Sequence, residues 1–136
     1  MVMMRFTPNN IEKLKKNEIF VFGSNIQGYH RSGAARVAYD KFGAIWGIGV
    51  GLQGQSYAIP TMHGGIEMIR IYVEQFIYLA GLLPDFTFYV TRIGCGIAGY
   101  KDWEIAPLFK KALFLRNVVL PAAFVEILYS SIMKER

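Results

Sequence analysis

Two short stretches combine glycine with other small residues in a way that suits anion chemistry. Arg31-Ser32-Gly33-Ala34-Ala35 and Gly94-Cys95-Gly96-Ile97-Ala98-Gly99-Tyr100 carry few bulky side chains, so a negatively charged group can approach the backbone in either. In the first, a helix start would aim N–H groups and partial positive charge at the guest, and Ser32 can cap that helix or touch a phosphate. In the second, the glycines can take positive φ and turn successive N–H groups inward as a nest. One such loop serves a turn or a tight packing contact equally well. Two of them, each following a strand, point to a shared anionic ligand. Neither matches the GxxxxGKS/T phosphate loop or the GxGxxG fingerprint, which disfavours a P-loop enzyme and an ordinary NAD dehydrogenase.

Other side chains offer chemistry with less specificity. Arg31 and Arg92 can meet phosphate with forked donors, and Arg92, two residues before Gly94, is the better placed, a salt bridge at the strand end being its equal alternative. Cys95 is a nucleophile only if the anion loop lowers its pKa; a small residue between two glycines is the plainer reading. His30 can bond a phosphate or exchange a proton, but a solvated loop histidine is the preferred reading, and His63, beside Gly64-Gly65, is open in the same way. Asp102 suits a helix cap. Trp46 and Trp103 read as core or lid packing. Two histidines and one cysteine without ligand spacing make no metal site, and no cofactor is implied.

The elements that must position these residues follow from hydrophobic patterning. Glu18 to Phe22 is a continuous apolar run closed by Gly23, which predicts a buried parallel strand, and Gly33 to Phe42 predicts the helix after the first loop. Residues 43 to 54, with five glycines, predict an irregular connection. Ser56 to Thr61 predicts a second strand, and Gly65 to Leu83 a long helix with Ile66, Ile69, Val73, Phe76, Ile77 and Ala80 on one face. Phe86 to Ile93 is the strongest strand signal and leads into the second glycine loop. A helix capped by Asp102 is expected to reach Phe114, its regular part beginning near Glu104 because of Pro107. Val118 to Leu120 and Pro121 to Met133 predict a final strand and helix, and Ile11 to Lys16 a short leading helix. Alternating strands and helices give one α/β domain over residues 1–136, with helices on both faces of the sheet.

Composition bounds the rest. Hydrophobic residues at 53% against 18% charged exclude disorder and suit strands buried on both faces. The single cysteine, Cys95, cannot form an internal disulfide, and no signal segment is legible near the start, so a cytoplasmic location is expected. Glu67, Arg70 and Glu74 interrupt the most apolar helix, which excludes a membrane span. A net charge of +5 favours anionic partners. Without a basic run or aromatic–basic interleaving, a nucleic-acid or protein interaction domain using a basic face is the alternative and not the first reading.

Taken in order, FVFGSN at 20–25, SGAARVAYDKFG at 32–43, QSYAIPT at 55–61 and VTRIGCGIAGYKDWEIAPLF at 90–109 resemble the macro domain family in a compact form. The resemblance spans about residues 18–120, and GCGIAGY is its most specific piece. It implies a three-layer α/β/α domain with a mixed, mostly parallel central sheet and a site for ADP-ribose or a related nucleotide. By the same resemblance Asn25 would contact the distal ribose, Gly33 to Ala35 a phosphate, Gly94 to Gly99 the diphosphate, and Tyr100 a ribose or ring face. The chain departs from the family in having Gly23-Ser24-Asn25 for an Asn-Ala-Ala-Asn run. Its GCG loop looks closer to the branch that removes ADP-ribose from glutamate or DNA bases, yet Ala98 stands where that branch carries an acid. Hydrolysis of ADP-ribosyl conjugates is therefore a possibility without a general base, the candidate groups being Asn25, Asp102 and Cys95.

Overall fold

The computed structural model describes residues 5–134. Five strands, β1 (Glu18–Ser24), β2 (Gly51–Gln53), β3 (Ser56–Pro60), β4 (Thr87–Val90) and β5 (Val118–Val119), form one sheet in the order β2-β3-β1-β4-β5. β2 runs antiparallel to β3 and all other pairs are parallel, giving an α/β fold with a mixed, mostly parallel sheet. Four helices, α1 (Gly33–Lys41), α2 (Gly65–Leu82), α3 (Asp102–Ile105) and α4 (Ala122–Lys134), alternate with the strands, and a 3-10 stretch, Ala106–Phe114, continues α3.

The pleat of the central strands divides their side chains between two apolar clusters. Ile19 and Val21 of β1, Tyr57 and Ile59 of β3, and Phe88 and Val90 of β4 pack with Ile69, Val73, Phe76 and Ala80 of α2, Phe109 of the 3-10 stretch and Phe124 and Leu128 of α4. Phe20 and Phe22 of β1 and Ala58 of β3 pack instead with Ala35 and Ala38 of α1 and with Phe42. Both sides of β1 are therefore buried, which is why its sequence is apolar without alternation. Phe76 anchors the larger cluster, its ring meeting Tyr57, Phe88 and Phe109 edge-on at centroid separations of 5.1, 5.5 and 6.5 Å.

Three local expectations are corrected. Residues 11–16 form no helix: Ile11 and Leu14 pack on the smaller cluster from an irregular segment. The 43–54 connection contains β2, a three-residue edge strand. Asp102 is the first residue of α3 and not its cap; Lys101 takes that place, its N–H donating to Glu104 Oε1 at 3.0 Å. Regular α-helix precedes Pro107, whose missing N–H falls where the chain tightens into the 3-10 stretch.

Candidate functional site

Because β3, β1 and β4 are parallel neighbours, their carboxyl ends share one edge of the sheet, where open α/β sheets place ligands. The three ends meet around Gly23, where a built Cβ would lie 3.4 Å from both the Gly94 nitrogen and Thr61 Oγ1. Above them opens a cleft of about 690 Å³, a size that suits a nucleotide-scale ligand. Its walls come from Gly23–Ala35, Thr61–His63 and Thr91–Ala98, and both glycine stretches line it.

The first wall is a loop braced from behind. Ser24 Oγ donates to Gly49 O, Gly47 N–H donates to Gly28 O at 2.9 Å, and Gln53 Nε2 donates to Ile48 O at 3.1 Å. Gly28 has φ of +75°, and a Cβ there would overlap the backbone of Gly47 and Ile48, so the two loops touch main chain to main chain. His30, expected to be solvated, is fully buried: its Nε2–H donates to Ile45 O at 2.9 Å, and Nδ1 has no partner among the described residues. Its ring packs on Phe22 and Trp46, so it braces the loop and does not face the cleft.

At the end of that wall the chain enters α1 through Gly33, whose φ is +61°. Ser32, at the N-cap, makes no side-chain cap bond, and Arg36 N–H is the first to bond back, to Ser32 O at 3.3 Å. The N–H groups of Gly33, Ala34 and Ala35 are the orphans of the first helical turn. In the opposite loop, Cys95, Gly99 and Tyr100 N–H donate to Arg92, Gly96 and Gly94 carbonyls, leaving those of Gly96, Ile97 and Ala98 without an acceptor among the described residues. Two sets of unbonded N–H groups thus border one cleft.

Of the residues named from the sequence, Asn25, Arg31, Ser32, Gly33, Ala34, Ala35, Arg92, Gly94, Gly96, Ile97 and Ala98 line the cleft; Cys95, Gly99, Tyr100 and Asp102 do not. Asn25 lines it with its amide engaged, Nδ2 donating to Tyr29 O at 3.0 Å and Oδ1 accepting Tyr29 N–H at 2.8 Å. Arg92 holds Asp102 in a two-pronged pair, Nε to Oδ1 at 3.0 Å and Nη2 to Oδ2 at 2.9 Å. The bonds from Arg92 keep the Asp102 carboxyl below the usual carboxylate range. Burial first, then a hydrogen bond to Asp102, pushes the Cys95 thiol up to about 11. Cys95 packs against the larger apolar cluster and does not line the cleft, a setting that disfavours the thiolate. Tyr100 packs there too, beside Gly94 and away from the cleft. Trp46 and Trp103, expected in a core or lid, are exposed.

The sequence reading missed Tyr29, Gln27, Thr61, Met62, Thr91 and Ile93 as wall residues, and left His63 open. The signal for Thr61–His63 was present: a strand beside β1 and parallel to it must deliver its following loop to the same edge. His63 lies exposed on that wall with φ of +69°, the one non-glycine residue with positive φ among the described residues. No carboxylate lines the cleft among the described residues, and no cluster of His, Cys, Asp or Glu there could hold a metal ion. No helix is long and apolar enough to cross a membrane among those residues. Compared with known proteins, the chain matches no family model, no curated protein and no solved structure.

Proposed function

We propose that the cleft binds ADP-ribose or a related nucleoside diphosphate, within a three-layer, macro-like α/β/α arrangement. One observation carries the reading. The unbonded N–H groups of Gly33–Ala35 and of Gly96–Ala98 border the same cleft, so a diphosphate spanning it would meet donors from both walls. Arg31 adds positive charge at the rim, and no carboxylate lines the cleft among the described residues to repel an anion.

The same absence makes binding, and not hydrolysis, the proposed activity. Asp102 is committed to Arg92, Cys95 packs on the larger apolar cluster outside the cleft, and the Asn25 amide is committed to Tyr29, so none of the three candidate groups is poised to activate water at C1″ of a ribose.

Calorimetry with ADP-ribose, AMP and a short RNA tests the reading. Gly96 suits the perturbation because its φ is not positive and a Cβ there meets nothing within 4 Å, so glutamate is tolerated by the fold while adding negative charge to the wall. ADP-ribose binding in the micromolar range, lost in Gly96→Glu with an unchanged melting temperature, is the expected result. Steeply salt-dependent RNA binding that ignores Gly96→Glu, without ADP-ribose binding, would replace this reading with a basic nucleic-acid face.

A further inference from the structure

The two arginines on the cleft wall are not equivalent. Arg92 is neutralised by its two-pronged pair with Asp102, whereas Arg31 has no carboxylate partner among the described residues. What Arg31 has is an aromatic ring: its guanidinium carbon lies 4.8 Å from the centroid of Tyr29. Tyr29 is stacked on Trp46 with centroids 5.9 Å apart and planes 26° from parallel. Trp46 meets the buried ring of His30 edge-on at 6.3 Å, and His30 meets Phe22, a fully buried residue of β1, edge-on at 5.4 Å. A continuous run of rings therefore leads from the sheet to one uncompensated cation on the cleft wall.

The backbone under this run is fixed as well. Tyr29 is gripped by the Asn25 amide at both its N–H and its carbonyl, and Arg31 N–H donates to the same carbonyl at 3.0 Å, closing a three-residue turn. A turn that tight brings the Arg31 side chain back over the ring two residues earlier. Tyr29 and Trp46 are each 43% exposed, and the Tyr29 ring, stacked on Trp46, carries the Arg31 cation over its face.

We infer that Arg31 is the charged ligand for the phosphates of the guest, and that Tyr29 and Trp46 are positioning residues that hold its guanidinium at the cleft. The inference rests on the nucleotide reading above. It separates Arg31 from Arg92, whose charge is already answered by Asp102, and it gives Asn25 a supporting role through Tyr29. Holding the planar guanidinium on a ring cuts the side-chain freedom lost on binding, which is how a preorganised cation gains affinity over a mobile one.

A double-mutant cycle by calorimetry on the full chain tests it, with ADP-ribose as ligand and inorganic pyrophosphate as a second probe. Arg31→Met and Tyr29→Leu are each expected to weaken binding about tenfold, and the double variant to be no weaker than Arg31→Met alone. Tyr29→Phe, which keeps the ring, stays within about twofold of the wild type, and Trp46→Leu repeats the Tyr29→Leu pattern. The dependence of affinity on salt should flatten equally in Arg31→Met and Tyr29→Leu, which a loss of packing alone would not produce. Melting temperatures confirm that each variant is folded. If the wild type binds and the single losses add, or Tyr29→Leu keeps the wild-type salt dependence, Tyr29 touches the guest itself and the positioning role is wrong. Arg31→Met binding as well as the wild type overturns it directly. A wild-type chain that binds neither probe sinks the nucleotide reading first and this inference with it.

Discussion

Replacing His63 with glycine is expected to make the protein more stable and its cleft weaker. His63 sits at φ of +69°, where a residue with a β-carbon costs about 1–2 kcal/mol relative to glycine. Its side chain is exposed, so little burial is lost on removing it. Glycine returns roughly 0.5–1 kcal/mol of that relief through the greater freedom of its unfolded chain. The difference, about 0.5–1 kcal/mol, corresponds to a rise of about 2–4 °C in melting temperature for a chain of this size. His63→Ala is the control, because it removes the imidazole and keeps the β-carbon and hence the strain; it should melt within about 1 °C of the wild type. Both variants remove the same ring from the cleft wall and should lose the same affinity for ADP-ribose. Thermal melts read the first effect and calorimetry the second. Should His63→Gly melt no higher than His63→Ala, the backbone at residue 63 is not strained, and the trade of stability for a cleft side chain is refuted.

Three further outcomes follow from the packing and charge already described. Gly28→Ala combines a φ of +75° with a β-carbon driven into the Ile48 backbone, and should cost more than about 3 kcal/mol in urea denaturation. Phe76→Ala removes the ring shared by Tyr57, Phe88 and Phe109 and should cost about 3–5 kcal/mol in the same assay. Asp102→Asn should speed alkylation of Cys95 at pH 8 several-fold, since the Asp102 bond and charge help raise the thiol. It should also remove a small pH dependence of stability. Because the folded Asp102 carboxyl titrates below its unfolded value, its contribution is complete above that unfolded value and disappears as pH falls through the lower folded one. With the Arg92 side chain 58% exposed, that contribution stays under about 1 kcal/mol.

The parts of this molecule that were legible in its sequence are those where one local rule decided the outcome. The unbroken apolar run of β1, the 3.6-residue spacing of α2 and the glycines that close the strands each allow a single reading, and together they locate both cleft loops. Where tertiary contacts decided, the local signal misled. Ile11 and Leu14 have helical spacing, but two apolar contacts to the smaller cluster are met by an irregular segment without the entropic cost of a helix nucleus. β2 is hidden among glycines because its pairing to β3 is supplied by main chain and not by side-chain pattern. His30 looks polar, yet one carbonyl acceptor at Ile45 and an aromatic surround suffice to bury it. Cys95 and Tyr100 belong to the same loop as Gly96, but they pack on the larger cluster while Gly96, Ile97 and Ala98 line the cleft, and spacing alone cannot say which face a loop residue takes.

The lengths of the outermost strands carry a consequence for life in a crowded solution. A sheet border recruits foreign chains through its row of unsatisfied peptide groups, and the outermost strands β2 and β5 are only three and two residues long, with the Val119 carbonyl of β5 already taken by Thr7 Oγ1. The apolar centre of the sheet is thereby fenced by borders too brief to seed a growing ribbon, so a chain over half hydrophobic can concentrate its stickiest segments without inviting polymerisation.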